Sequence, residues 1–246
     1  MAEIFAKQGH WKEAELYRMK AMTQAIEKDQ SSCLYHISRL YTFQEKYAEA
    51  ETNFLHHINI LEKYSSPSHS VYLRTAQNYA RLGNETESRR LLEIADRLFE
   101  KKTVPPRNKA FYLYKRADTY RILQEYEFAK TDCEQSLTWF LINAEDYQSV
   151  AEARLVFGKI LVNMEEYQDA IGYLDKAKTA FAIGKHYALG ETMLYLGKAH
   201  AATGNPTRAQ ALVADALAEF QRLELSKKEQ EAKDMLNRLN NMSEVI

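Results

Sequence analysis

The chain has 246 residues, of which 46% are hydrophobic and 27% charged, a balance typical of a folded protein with an extended core. Its formal net charge of −1 gives the molecule as a whole no electrostatic bias toward nucleic acid or anionic lipid. Eight glycines and four prolines are few for the turns of an all-β fold. The many Ala, Leu, Glu, Lys and Gln residues favour helix instead.

Targeting signals and redox motifs are missing from the sequence. The N-terminus carries no basic stretch followed by an apolar one, and no apolar run reaches the ~18 residues of a membrane span, so we expect a cytoplasmic protein. Cys33 and Cys133 lie far apart without CxxC spacing. We therefore expect both to be reduced core residues rather than metal ligands or a redox pair.

A short pattern, Glu or Lys followed by Tyr, two variable residues and Ala, recurs from one end of the chain to the other. Trp replaces the Tyr in the first copy, and the third and last copies are degenerate. The small residue that ends each copy, here called the anchor, lies in chain order at Ala14, Ala50, Ser88, Ala129, Ala170 and Ala209. The steps between anchors are 36, 38, 41, 41 and 39 residues. Self-similarity of this kind predicts a repeat architecture.

Other columns of the repeat align in the same register. Small residues stand twelve positions before the anchors, at Ala2, Ser38, Ala76, Ala117, Gly158 and Gly197. A second small column lies seven positions after the anchors, and its one large member is His57. Its residues are Ala21, His57, Ala95, Ser136, Ala177 and Ala216. Small residues at these places let two antiparallel helices approach closely. Each pair of helices then buries its remaining apolar face by stacking on the next pair.

These columns resemble the signature of the tetratricopeptide repeat (TPR) family, and six copies cover almost the whole chain. The period near 40 is longer than the usual ~34. This longer period is similar to that of the repeat arrays of bacterial signalling regulators and of some eukaryotic scaffold proteins. The resemblance implies an all-α fold, a right-handed superhelical solenoid of antiparallel helix pairs.

We predict one solenoid over residues 1–246, closed by a capping helix. The repeats are expected at about 1–28 (partial), 31–64, 69–102, 109–143, 149–183 and 187–222, with the capping helix at 226–241. The capping helix begins with Ser226, Lys227, Lys228 and Glu229, which form a capping-box pattern. The first repeat starts partway through its first helix, so we expect a preceding segment, whereas the C-terminus has the pattern of a natural end.

The common motifs of nucleotide-binding proteins, metalloproteases and hydrolases do not occur in the sequence. Only His56 and His57 are adjacent among the seven histidines, and neighbouring residues on a helix point about 100° apart, which suits a shared metal poorly. We therefore expect no catalytic residue, no metal and no cofactor, and a protein that is not an enzyme.

In a TPR stack the first helices of successive pairs line a concave groove. The face of each first helix that lies opposite the core is expected to bind the partner. The residues predicted on it are Tyr35, His36, Arg39, Phe43, Arg74, Gln77, Arg81, Tyr114, Lys115, Asp118, Arg121, Leu155, Lys159, Asn163, Tyr195 and Lys198. Seven cations outnumber three anions there when Glu152 and Glu191 are included. Aromatic residues and Arg are enriched at binding hot spots, which indicates a peptide that carries acidic residues or a free C-terminal carboxylate.

The leading hypothesis is a protein- or peptide-binding module, either a scaffold or the ligand-sensing part of a larger regulator. Within the same resemblance, a peptide-responsive quorum-sensing regulator is the second hypothesis, for which Asn163 is the single groove asparagine that would grip a peptide backbone. An enzyme or enzyme modulator with a site assembled across repeats is the third. Nucleic acid is disfavoured by the interspersed carboxylates. The incomplete first repeat offers a face for self-association.

Overall fold

The computed structural model describes residues 2–101, 103–143 and 147–243. Met1 and the predicted end of the third repeat at residue 102 lie outside the described residues. Thirteen α-helices lie within the described ranges, and they follow one another as sequential antiparallel pairs. This confirms the all-α class predicted from the repeat pattern.

The helices fall into two compact units, residues 1–125 and 126–246. Unit 1 contains α1 (Ala2–Lys7), α2 (Trp11–Gln24), α3 (Glu27–Phe43), α4 (Tyr47–Lys63), α5 (His69–Arg81), α6 (Glu85–Glu100) and α7 (Pro106–Ile122). Unit 2 contains α8 (Tyr126–Ile142), α9 (Tyr147–Asn163), α10 (Tyr167–Gly184), α11 (Leu189–Ala202), α12 (Pro206–Arg222) and α13 (Ser226–Ser243). The division falls between the two helices of the fourth predicted repeat.

Within each unit, every helix from α2 to α5 and from α9 to α12 packs on both of its neighbours in sequence, and α6 packs on α5. First helices also contact the next first helix: α5 contacts α7 in unit 1, and α9 contacts α11 and α11 contacts α13 in unit 2. These contacts bring together α5 and α7 in unit 1 and α9, α11 and α13 in unit 2, and apart from those on α3 the residues predicted to bind lie on these helices.

The anchors explain why the helices of a pair lie so close. All six anchors are fully buried, at 0% exposure. The Ser88 hydroxyl donates to the Ala76 carbonyl at 2.8 Å, so an anchor is bonded directly to a member of the other small column. A methyl group on Gly158 would lie only 2.5 Å from Leu174, and one on Gly197 2.6 Å from Val213. These positions have no room for a larger side chain.

The turn inside each pair has a fixed form. Five residues before every anchor the backbone takes a positive φ, at Gly9, Glu45, Gly83, Gln124, Glu165 and Gly204. At each of these turns the left-handed residue donates its N–H to a carbonyl three residues back, and the next residue donates to one five residues back, as at Gly83→Ala80 and Asn84→Tyr79. This is the Schellman arrangement, which satisfies the last carbonyls of the first helix and reverses the chain.

The last helix, α13, begins at Ser226 and buries Ala232 and Leu239 against α12 and α11. Its first turn differs from the capping box in the sequence prediction. The Glu229 N–H donates to the Leu225 carbonyl at 2.9 Å, so Leu225 accepts the first backbone bond of the helix. The Glu229 carboxylate accepts instead from Lys233 Nζ at 2.6 Å.

Cys33 and Cys133 are both buried thiols that are not joined in a disulfide, and Cys133 Sγ lies 3.5 Å from the Ala153 carbonyl oxygen. Among the described residues, no helix combines the length and the apolar character needed to cross a bilayer.

Candidate binding surfaces on the first helices

The structure divides the predicted groove residues into two sets, one in each unit. The unit 1 face consists of Tyr35, His36, Arg39, Phe43, Arg74, Gln77, Arg81, Tyr114, Lys115, Asp118 and Arg121. The unit 2 face consists of Leu155, Lys159, Asn163, Tyr195 and Lys198. Each face lies on the first helices of its own unit, α3, α5 and α7 or α9 and α11.

The sequence places these side chains on the helix face opposite the core, where they would be open to solvent, but several of them are buried. Gln77, Tyr114, Asp118, Leu155 and Lys159 are all buried, with exposures of 3–6%. The other members of both faces are half-buried. Contact between successive first helices covers these positions, an effect that the periodicity of a single helix does not reveal.

Asp118 of α7 is the centre of the unit 1 face. Its Oδ1 accepts from Arg121 Nε at 2.8 Å, and its Oδ2 accepts from Arg81 Nη2 at 3.2 Å. Gln77 Nε2 also donates to Oδ2, at 2.9 Å, while Gln77 Oε1 accepts from Arg74 Nη1 at 3.2 Å. We call these five residues the arginine cluster. Its three guanidiniums and one carboxylate carry a formal charge of +2.

The cluster forms because α5 presents Arg74, Gln77 and Arg81 at spacings of three and four residues, which lie on one face of a helix. On α7, Asp118 and Arg121 are likewise three residues apart. The contact between α5 and α7 brings the two sets together. A buried carboxylate that accepts several hydrogen bonds fixes the positions of the arginines around it.

Arg39 of α3 has a different environment from the arginines of the cluster. Its guanidinium carbon lies 5.8 Å from the ring centroids of both Tyr35 and Phe43. Its Nε is buried and, within the described residues, has no hydrogen-bond partner. The positive charge of Arg39 is therefore held against two aromatic rings, in a cation–π arrangement.

His36, next to Tyr35 on α3, has a strongly lowered pKa of about 4. Burial of the ring is the main cause, and the positive charges of Arg18 and Arg39 lower the pKa further. The imidazole is therefore neutral at physiological pH, and the positive charge of this part of the face comes from arginine and lysine.

The unit 2 face is built from paired charges around one ring. Lys159 Nζ donates to Glu191 Oε1 at 2.7 Å, and Lys228 of α13 lies 3.4 Å from the other oxygen of the same carboxylate. Lys198 Nζ donates to Glu231 of α13 at 2.6 Å. Tyr195 lies between the two lysines of the face, 5.4 Å from Lys159 Nζ and 4.5 Å from Lys198 Nζ. The partners from α13 cannot be recognised in the repeat pattern, because they belong to a helix outside the predicted groove.

Asn163, the asparagine singled out as a peptide-gripping residue, donates from Nδ2 to the Tyr126 hydroxyl at 3.3 Å. Its side chain is half-buried at the C-terminal end of α9. The amide therefore has an internal partner, which a peptide backbone would have to displace.

Comparison with known proteins gives matches in fold. A Rap protein complexed with competence and sporulation factor is 15% identical, with a TM-score of 0.65 over 98% of this chain and 73% of that one. RapI in its apo form is 12% identical, with a TM-score of 0.58 over 99% and 70%. TPR-like repeats of a kinesin light chain from Podosopora anserina are 16% identical, with a TM-score of 0.55 over 81% and 99%. The fold is TPR-like.

This result confirms the resemblance predicted from the repeat columns, including its likeness to bacterial regulators. No protein-family model and no curated protein matches the sequence. At these identities the matches establish the fold alone.

Proposed function

We propose that this protein is an interaction module that binds an acidic segment of a protein or peptide partner on the unit 1 face. The arginine cluster carries the proposal: three guanidiniums are held in place around Asp118 on neighbouring first helices. Arginine presents a planar fork of donors that matches a carboxylate. Because the internal carboxylate has already ordered the side chains, a partner carboxylate would bind with little further loss of rotamer entropy.

Aromatic surface supports the same proposal. Tyr35 and Phe43 flank Arg39 on α3, and their half-buried rings offer stiff apolar area beside a half-buried guanidinium. Interfaces draw most of their binding energy from such aromatic and arginine side chains. A partner segment with an acidic group near an apolar residue would contact both the arginines and the aromatic rings. The acidic group can be a side chain or a free C-terminal carboxylate.

The test is a binding measurement with fluorescent peptides that are acidic, neutral or basic but otherwise alike. Wild type is expected to bind the acidic set best. The double reversal R74E/R121E is expected to weaken that binding about tenfold or more, since it removes two of the ordered guanidiniums. The matched control is R90E/R97E on the second helix α6, which changes the net charge equally. Equal loss in both double variants, or no loss in either, would show that the unit 1 face is not the binding surface.

Arg39→Gln gives a second test that leaves the arginine cluster unchanged. It removes a half-buried charge and its fork of donors but keeps a polar side chain between the rings of Tyr35 and Phe43. We expect a loss of affinity for the acidic peptides with unchanged thermal stability. An unaltered affinity would confine the binding site to α5 and α7.

A second candidate function, a peptide-responsive regulator, is favoured by the match to the Rap protein bound to competence and sporulation factor, which covers 98% of this chain. A regulator of this kind would bind a short linear peptide and change conformation. Short peptides with a free C-terminus should then bind more tightly than the same peptides with an amidated C-terminus, and scattering should show a changed radius. Binding without a change in radius would favour the scaffold role.

A further inference from the structure

A cavity of about 350 Å³ opens in unit 1 at the second and third helix pairs, apart from the arginine cluster. It is bounded by the start of α3, the end of α4 and the segment that leads into α5. Its size falls within the roughly 300–1,000 Å³ of small-molecule sites. Five serines line it, Ser31, Ser32, Ser66, Ser68 and Ser70, and we call it the serine pocket.

Two buried polar side chains form part of its wall. Ser31 is 3% exposed and His57 is 5% exposed, and Ser31 Oγ lies 2.6 Å from His57 Nδ1. Burial lowers the pKa of His57 to about 4, so the ring is neutral at physiological pH. A serine hydroxyl has one donor and two acceptor sites, so this contact leaves Ser31 with further capacity to bond a ligand.

The rest of the lining is aromatic and aliphatic. Tyr35 and Tyr64 contribute rings, and Ile60, Leu61 and Val71 contribute aliphatic surface. Among the described residues that line the serine pocket, none carries a formal charge at neutral pH. A charged ligand would lose its hydration there without gaining an opposite charge, which is costly.

We propose that the serine pocket binds a small uncharged aromatic molecule with hydrogen-bonding groups at its edge. The rings and the aliphatic side chains would enclose its body, and the serine hydroxyls and the imidazole would bond its edge. The proposal is independent of peptide binding, because only Tyr35 belongs both to the serine pocket and to the unit 1 face. It gives the protein a second kind of ligand that no other feature of the sequence suggests.

The experiment measures, by saturation-transfer NMR, how a panel of neutral phenols and aromatic amides binds to the full chain. Its central comparison is 4-hydroxybenzamide, which is neutral, against the anionic 4-hydroxybenzoate and the cationic 4-hydroxybenzamidine. We expect neutral members of the panel to bind, and each charged analogue to bind at least about tenfold more weakly, because its charge would be buried without a partner. Similar affinities for the three analogues, or no binding by any neutral member, would overturn the proposal.

Filling the pocket locates the binding site. Ser66 is exposed in the segment after α4, so Ser66→Trp places a large ring at the mouth of the pocket without cutting into the core. The matched control is Asn59→Trp, at an exposed position of α4 outside the lining. Binding should be lost in S66W and kept in N59W.

A second variant, Ser68→Phe, fills the pocket from the other side of the same segment. If circular dichroism shows that S66W does not fold, probe binding is measured in S68F instead. Binding that survives in a folded filling variant would place the probe elsewhere and refute the serine pocket. Loss of peptide binding in R74E/R121E with probe binding intact would separate the two proposals.

Discussion

The two units present their first helices in different ways. In unit 1, three arginines gather around the single carboxylate of Asp118 through short side-chain contacts on α5 and α7. In unit 2, Lys159 and Lys198 each donate to a glutamate of their own, and one of these glutamates comes from the last helix. A concentration of guanidiniums suits recognition of an outside anion, whereas pairwise lysine bridges mainly join helix to helix. This difference is the reason that we propose unit 1, rather than unit 2, as the binding surface.

The largest effect on stability should come from replacing the carboxylates of Asp118 in unit 1 and Glu191 in unit 2. Asp118→Asn leaves the nearly buried Arg121 without its charge partner, and we expect unit 1 to lose about 3 kcal/mol of stability. The matching change in unit 2 is Glu191→Gln. It also removes the carboxylate that pairs with the buried Lys159, but it should cost less, because the Glu191 side chain is 21% exposed to water, against 9% for Asp118. Urea denaturation with hydrogen exchange by peptide measures the loss in each unit.

Asp118→Asn also separates stability from binding. Asn keeps a side-chain oxygen that accepts from the arginines but removes the negative charge inside the arginine cluster, so we expect affinity for acidic peptides to rise by about threefold to tenfold while stability falls. Glu191→Gln should leave that affinity unchanged. A fall in affinity in D118N would mean that ordering of the arginines matters more than their net charge.

A second comparison concerns close packing in unit 2. Gly158→Ala would place a methyl group 2.5 Å from Leu174, which is fully buried and has little room to move, so we expect a loss of about 1–3 kcal/mol. Gly172→Ala in α10 has no atom within 4 Å of the new methyl group and should stabilise the protein by up to about 1 kcal/mol. Thermal unfolding of both variants distinguishes steric crowding from a general effect of glycine removal.

Acid should weaken unit 1 more than unit 2. Burial lowers the pKa values of His36 and His57 from 6.5 to about 4. Between these pH values the unfolded chain binds more protons than the folded unit, so acid favours unfolding. Stability is fully present above about pH 6.5 and is lost as pH falls toward 4. We expect each histidine to account for about 1–2 kcal/mol of this loss. Denaturation at pH 7 and pH 5 checks this, and His57→Gln should flatten the profile.

The smallest effect lies in the turns. Glu165 holds a φ of +64°, a conformation in which a side chain is strained, so Glu165→Gly should stabilise unit 2 by about 0.5–1 kcal/mol. Gly83→Ala, at the equivalent turn of unit 1 with a φ of +78°, should destabilise by about 1 kcal/mol. Melting temperatures that move in the same direction would contradict a common turn geometry.

Much of the fold could be predicted because its determinants are local and periodic. Each anchor must be small wherever two helices touch, so residues such as Ala129 and Ala170 mark the pairs in the sequence itself. The left-handed turns were harder to predict, because Glu45, Gln124 and Glu165 occupy positions where glycine is the usual signal. There the tertiary packing overrides local preference.

The surfaces were only partly predictable. Helical periodicity placed Gln77, Asp118 and Arg121 on one layer, but it could not show that Asp118 is buried or that it orders the arginines. The partner of Lys198 is Glu231, which lies 33 residues away and belongs to no repeat column. The serine pocket was missed for the same reason, since its serines come from separate segments, although Ser65–Ser70 is visibly rich in serine.

The fixed turn five residues before each anchor has a consequence for how this protein evolves. Because both small columns and the turn keep constant spacing, all variation in repeat length, from 36 to 41 residues, falls between the second small column of one pair and the first small column of the next, a stretch that holds the connection and the helix ends beside it. Those connections are free to lengthen, shorten and change composition while the stacked helices stay in register. Part of the serine pocket lies in such a connection, so a new ligand specificity can arise there at little cost to the array.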